Sequence, residues 1–179
     1  MSKKKLQKNT KSAFNWKVVT PKIVWFIRNI IPMILFPIVT FYLFEWYTHN
    51  PWETMKVRIQ FLNIFFFELV MVILLMLFGK LKTALITETV FFMIYGLANF
   101  YVLSFRSAPI MPWDIYSLKT AASVSDNFSY ALGKETIYVL IGFLILILLE
   151  WQTTLKISKK WQIRVGGVLA SLCVLFGFV

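Results

Sequence analysis

The sequence predicts an all-α fold, a polytopic membrane helix bundle with five transmembrane helices. Three observations lead there. Apolar residues make up 59% of the 179 and charged residues only 15%, against about 45–50% and about 25% in soluble domains. A soluble domain of this size buries only about 70% of the surface that its unfolded chain exposes, so this composition calls for lipid as the solvent. The apolar residues also fall into runs near the roughly 20 residues that cross a hydrocarbon core, and most charges stand between those runs.

Residues 1–22 read as a basic cytoplasmic tail. The first span covers about 23–44, with Arg28 near its start and Pro32 and Pro37 inside it; membrane helices tolerate proline where neighbours satisfy the freed carbonyls. It runs into FEWYTHNPWE with no small-residue cleavage pattern, so it is expected to stay as an anchor and not to be removed as a signal peptide. The second span, about 59–79, and the third, about 83–105, are separated only by the turn Gly79-Lys80-Leu81-Lys82. That spacing predicts a tight helical hairpin with glycine placed to end the first arm. The fourth span is expected at 136–155. The fifth follows Arg164 and occupies 165–179, fifteen residues without charge. These reach about 22 Å across a core of roughly 30 Å. The fifth helix is therefore read as truncated, and the chain as the front part of something longer that continues on the far side.

Charge sets the orientation. Fourteen lysines and arginines lie in residues 1–28, the hairpin turn and the 156–164 loop, against five in residues 45–58 and 106–135. By the positive-inside rule the N-terminus is cytoplasmic, the loop 105–135 is extracytoplasmic, and a C-terminal continuation would also be extracytoplasmic. The net charge of +11 does not predict nucleic acid as a partner, because the basic residues flank apolar runs and are not interleaved with a polar, aromatic face. Such flanks set topology or meet anionic lipid. The one cysteine, Cys173, excludes an internal disulfide, and the one histidine, His49, has no partner at metal-ligand spacing. No catalytic or metal-binding residue is assigned.

Polar residues inside spans are functional candidates. Glu68 stands twelve residues from Lys80 and Tyr95 thirteen from Lys82, about 18–20 Å along each helix, which brings Tyr95 within reach of donating to Glu68. Asn63 and Asn99 are each seventeen residues from the same lysines and also match in depth. Glu88 and Glu150 are each six residues from Lys82 and Lys156, about 9 Å in, where Lys22, Arg28 and Asn29 are the nearest partners in depth. Helix-joining hydrogen bonds, an ion pair and a transport pathway are the competing roles.

In FRSAPIMPWDIYSLKTAASVSDNFSYALGKE, residues 105–135, the Ser-Ala-Pro-Ile-Met-Pro stretch must run extended, since a residue before proline is pushed from helical angles. Asp114 is placed to cap a helix beginning Ile-Tyr-Ser. Ile115, Leu118 and Ala122 recur at helical spacing, which predicts an amphipathic helix on the outer interface, between the third and fourth spans, with Trp113 and Tyr116 at headgroup level. Arg106 and Asp114 are close enough to pair across the proline turn. Arg106, Pro109, Pro112, Trp113 and Asp114 form either a braced lid or a headgroup platform, because arginine suits phosphate.

This segment resembles the outer loop in the membrane domain of the lipoteichoic acid synthase family, the sulfatase-like phosphoglycerol transferases. The family pattern runs F-R-G-[ST]-P, two hydrophobic residues, P-x-D and a hydrophobic residue, then a T-A-A-S-V-like run. Phe105, Arg106, Pro109, Pro112, Trp113, Asp114 and Thr120-Ala121-Ala122-Ser123-Val124 match it; Ser107 stands at the glycine and Ala108 at the serine or threonine. The resemblance implies a five-helix anchor in a bacterial cell membrane, followed by an extracytoplasmic catalytic domain. That domain would use a threonine nucleophile and a manganese-type divalent metal to move glycerol phosphate from phosphatidylglycerol during cell-wall polymer synthesis. None of that apparatus is in this sequence, so this segment is non-catalytic by itself and needs no cofactor. Membrane lipids, phosphatidylglycerol among them, and other envelope-synthesis proteins are the implied partners. A small autonomous transporter or lipid-handling protein using Glu68 and Glu88, and a non-catalytic envelope assembly protein, are the alternatives.

Overall fold

The computed structural model describes residues 16–111, 114, 116, 133–157 and 161–177, and every regular element among them is a helix. Helix α1 is Trp16–Glu45, α2 the single turn Pro51–Thr54, α3 Val57–Phe78, α4 Leu81–Arg106, α5 Lys134–Glu150 and α6 Trp161–Gly177. Among the described residues three stretches are long and apolar enough to cross a membrane: Ile23–Glu45, Val57–Phe78 and Leu81–Ser104.

Local chemistry sets the boundaries. Asn50 caps α2 by accepting from Trp52 N–H at 3.1 Å, and Pro51 at the first helical position has no N–H to leave orphaned. Gly79 ends α3 in the left-handed conformation, φ 68°, which costs a residue without Cβ nothing sterically. The expected hairpin of α3 and α4 therefore forms on the expected glycine. The fourth span was expected to run to 155, but α5 stops at Glu150. Beyond it the paired threonines Thr153 and Thr154 lead into an extended strand-like link. There Leu81 N–H donates to Leu155 O at 3.0 Å and Ile157 N–H to Gly79 O at 2.9 Å. Backbone pairing with the hairpin turn replaces the last turn of helix.

α1, α3 and α4 pack against one another, α5 lies along α1 and α4, and α6 lies along α3. The buried stripes have helical spacing: Gln60, Phe67, Met71 and Leu75 on α3, and Thr136, Val139, Phe143, Leu146 and Glu150 on α5. In mid-bundle Phe67 and Phe92 stack with ring centres 4.0 Å apart, and Phe41 meets Phe67 edge-on at 5.6 Å. The outward faces are equally apolar: Phe61, Ile94 and Leu148 are 60–70% exposed. Asn29, Thr40, Glu88, Thr89 and Glu150 are instead buried. Polar groups inside and large apolar ones outside is the distribution that lipid selects.

Small residues bring the helices close. A Cβ on Gly96 would lie 2.6 Å from the Tyr47 ring, whereas one on Gly166 would meet nothing within 4 Å. Gly96→Ala is expected to lower stability in detergent by about 1–3 kcal/mol through overpacking. Gly166→Ala should leave it unchanged or raise it by up to about 1 kcal/mol. Thermal or SDS-titrated unfolding monitored by circular dichroism distinguishes the two.

Candidate functional site

Two polar constellations stand out, one at the end of α4 and one inside the bundle. α4 terminates on Ser107, whose φ of 53° is the only left-handed non-glycine backbone among the described residues, with its N–H donating to Leu103 O at 2.8 Å. That reversal aims the Arg106 side chain back over the following segment. Its two terminal nitrogens donate to the two carboxylate oxygens of Asp114, each at 2.8 Å, and one of them also donates to Pro109 O at 2.9 Å. Met111 N–H donates to Asp114 Oδ2 at 2.7 Å. Asn99, about two turns earlier on α4, accepts from Ile110 N–H at 2.9 Å. The backbone of 109–111 thus hangs from three side chains. The predicted pairing of Arg106 with Asp114 forms as a bidentate fork, the strongest geometry open to the pair.

The fork has chemical consequences. The Arg106 guanidinium and the Met111 N–H hold the Asp114 carboxyl well below its ordinary range, at about 2, and Asp114 in turn raises the pKa of Arg106. The face of the guanidinium suited to a phosphate is occupied by the carboxylate, so the geometry favours a brace over an open headgroup site. Asp114 has both oxygens engaged backward along the chain. Pro109 is exposed and contributes its carbonyl. Pro112, Trp113 and the expected amphipathic helix lie outside the described residues.

Within the bundle, Thr89 on α4 donates to Glu150 Oε1 on α5 at 2.6 Å. Its oxygen lies 3.2 Å from Thr40 Oγ1 on α1. Since Thr89 has one proton and gives it to Glu150, Thr40 must be the donor to Thr89. The chain Thr40 to Thr89 to Glu150 joins three helices. Glu150 Oε2, both carboxyl oxygens of Glu88 and Glu68 Oε1 are buried with no hydrogen-bond partner among the described residues. Glu68 and Glu150 both lie within electrostatic reach of Glu88. Buried oxygens of this kind require a proton, a cation or water, because a bare carboxylate in a dry interior costs several kcal/mol.

Several depth-matched pairs do not form. Tyr95 lies flat against Phe44 and Phe91 with interplanar angles of 4° and 2°, and no hydrogen bond joins it to Glu68. Asn99 turns to the outer segment and not to Asn63. Arg28, expected near Glu88 and Glu150, donates to Gln152 O at 3.1 Å. The carbonyl freed where α5 ends lies nearer to it than the buried carboxyls do. Asn29 accepts from Thr154 N–H at 2.9 Å, so it too serves the loop.

Thr40 and Thr89 were not singled out in the sequence, although Thr89 adjoins Glu88 in an otherwise apolar run. Arg164 is also absent from the candidates; its Nε donates to Met76 O at 2.7 Å and caps the carbonyl end of α3. Among the described residues no group of three or more His, Cys, Asp or Glu side chains could hold a metal ion, and no step is derived through one. No family of proteins, no curated protein and no solved structure matches the chain.

The depressed Asp114 pKa carries a pH dependence. The clamp's contribution to folding is complete above the unfolded value near 3.8 and is lost as pH falls through about 2. Carboxyl-selective NMR of labelled aspartate should find a titration midpoint near 2 that moves up towards the ordinary range in Arg106→Ala. Ser107→Gly relieves left-handed strain and should raise thermal stability in detergent by about 0.5–1 kcal/mol; a loss of stability there would contradict the backbone geometry.

Proposed function

We propose that this chain is the membrane domain of a lipoteichoic acid synthase-like phosphoglycerol transferase of the bacterial cell membrane. In this reading it anchors and orients an extracytoplasmic catalytic domain and braces an outer-surface segment beneath it. One observation carries the reading. The positions shared with the family's outer-loop pattern are those on which the clamp depends: Arg106 and Asp114 supply the fork, Pro109 supplies a carbonyl, and position 107, glycine in the pattern, has left-handed backbone. A glycine pattern position with positive φ has a physical reason to be glycine.

α5 and α6 then also cross the membrane, making five spans. At seventeen residues each they reach about 25 Å, a mismatch that bilayer thinning accommodates. The end bearing Lys80, Lys82 and Lys156 faces the cytoplasm, and the clamp faces outward. Phosphatidylglycerol is the donor lipid of this reading, and a manganese-type ion belongs to the catalytic domain.

A second reading, a small transporter, is favoured by the unpartnered oxygens of Glu68, Glu88 and Glu150.

The test reads the gene beyond codon 179 and assays the whole product in vesicles containing labelled phosphatidylglycerol. Expected are an open frame encoding a soluble domain and transfer of glycerol phosphate. Arg106→Ala and Asp114→Ala should each lower transfer by about ten- to a hundredfold through misplacement, with Arg106→Lys intermediate because lysine lacks the fork. A stop codon with no lipid turnover would overturn the proposal. Ion flux in proteoliposomes that Glu88→Gln abolishes would establish the transporter instead.

A further inference from the structure

We propose that the cleft between the α3–α4 turn and the link after α5 binds the phosphate-bearing headgroup of an anionic phospholipid. The inference rests on the membrane character of the bundle and is independent of any transferase activity.

The cleft is a product of backbone pairing. Gly79 ends α3, and Lys80 follows in an extended conformation, φ −134° and ψ 121°. Lys80 and Lys156 then form an antiparallel bridge, stitched by the hydrogen bonds of Leu81 with Leu155 and of Ile157 with Gly79. Two lysines directly opposite each other repel, yet the fold holds them so. Lys82 joins them, its Nζ 3.3 Å from the centre of the Trp151 ring. The three lysines, with Thr83, Thr154 and Trp151, line an open cleft of about 480 Å³ in which none of the described lining residues is acidic.

The charges around the cleft lack internal compensation. The nearest carboxyl group in sequence, Glu150, turns inward to Thr89, and Arg28 adds a further cation at this end through its bond to Gln152. An anion with several acceptor oxygens would relieve the Lys80–Lys156 repulsion and meet three ammonium groups at once. Phosphate supplies that charge and geometry. The membrane source is favoured over a soluble one by position. Trp151 is 64% exposed and Leu148, one turn before it, 70% exposed, so the cleft opens where an apolar helix face meets an aromatic interfacial residue, the level at which headgroups lie. Basic pockets between helices at that level are suited to anionic headgroups.

The test is native mass spectrometry of the full chain in neutral detergent, titrated with phosphatidylglycerol, phosphatidylcholine or inorganic phosphate, together with thermal unfolding of the same samples. Phosphatidylglycerol should form a one-to-one adduct and raise the unfolding temperature, phosphatidylcholine should do neither, and millimolar phosphate should compete with the anionic lipid. The K80A/K82A/K156A variant should bind phosphatidylglycerol at least about tenfold more weakly, while K3A/K4A/K5A, which removes equal charge from the tail, should bind as wild type. Lys156→Gln guards against misfolding: it relieves the bridge repulsion, so without lipid it should unfold no earlier than wild type, yet it should lose most of the lipid-induced shift. Equal weakening by the two triple variants, retention of wild-type affinity in the cleft variant, or binding of inorganic phosphate without lipid binding would each overturn the proposal.

Discussion

In hydrocarbon no solvent exists to satisfy a polar group, and that constraint organises the whole molecule. A polar side chain in the bundle must find a partner on its own helix or on another, and the chain Thr40 to Thr89 to Glu150 does so by joining α1, α4 and α5. Each such bond is worth only about 0.6–2 kcal/mol, so the bundle does not depend on its strength. What it specifies is rotation: turning α4 by one residue would move Thr89 from Glu150 and bring Phe92 out of its stack with Phe67. Helix faces that are uniformly apolar cannot specify rotation by burial alone, because lipid accepts Leu and Phe as readily as the core does. The buried polar residues supply the discrimination.

The same constraint explains why both ends of the bundle are tied by side chains reaching for backbone. Helix termini leave unpaired N–H and C=O groups, and at the edge of a membrane they are only partly served by water. At one end Gln60 donates to Pro51 O and Met55 O and accepts from Tyr42, so that α2 is locked onto α1 and α3. At the other end Asn29, Arg28 and Arg164 serve Thr154, Gln152 and Met76. Asn29 and Gln60 are each 5% exposed or less, and each joins segments distant in sequence or in fold. Amides are suited to this task because one side chain both donates and accepts.

The helices, the hairpin and the Arg106–Asp114 pair were legible in the sequence because each rests on local information: run length, a glycine at a turn, two opposite charges eight residues apart across prolines. Matching by depth also brought Glu88 and Glu150 to the same level, where the structure has them near Thr89. Depth does not determine rotation. Tyr95 and Glu68 share a level but not a face, and Asn63 and Asn99 likewise diverge, since 100° per residue is invisible to a count from the helix end. The early end of α5 had a signal in the sequence, the polar Gln152-Thr153-Thr154, but the next charge, Lys156, set the expected boundary, and the pairing with the distant α3–α4 turn that draws the link out of the helix is not a local feature. Thr40 and Thr89 escaped notice because a hydroxyl among branched apolar residues satisfies itself easily on its own backbone, so its sequence context says little about its partner.

The two ends of the bundle differ most in how charge is compensated. Beyond α4, Arg106 has Asp114; after α1, His49 Nε2 lies 3.3 Å from Glu45; and Asn50 binds Glu53. Asp114, Glu45 and Glu53 thus each have a partner within the chain, while Lys56, Arg58 and Lys134 at that end are exposed and form no ion pair among the described residues. At the lysine end, Lys80, Lys82 and Lys156 converge with no acidic residue among the described residues of the cleft's lining, while Glu88 and Glu150, close in sequence to those lysines, turn into the bundle. A protein gains nothing internally by setting bridge-paired lysines face to face. In the proposed headgroup site, anions outside the chain would offset the repulsion between the exposed Lys80 and Lys156. One end holds a segment by its own side chains, and the other is the proposed place of an anionic headgroup.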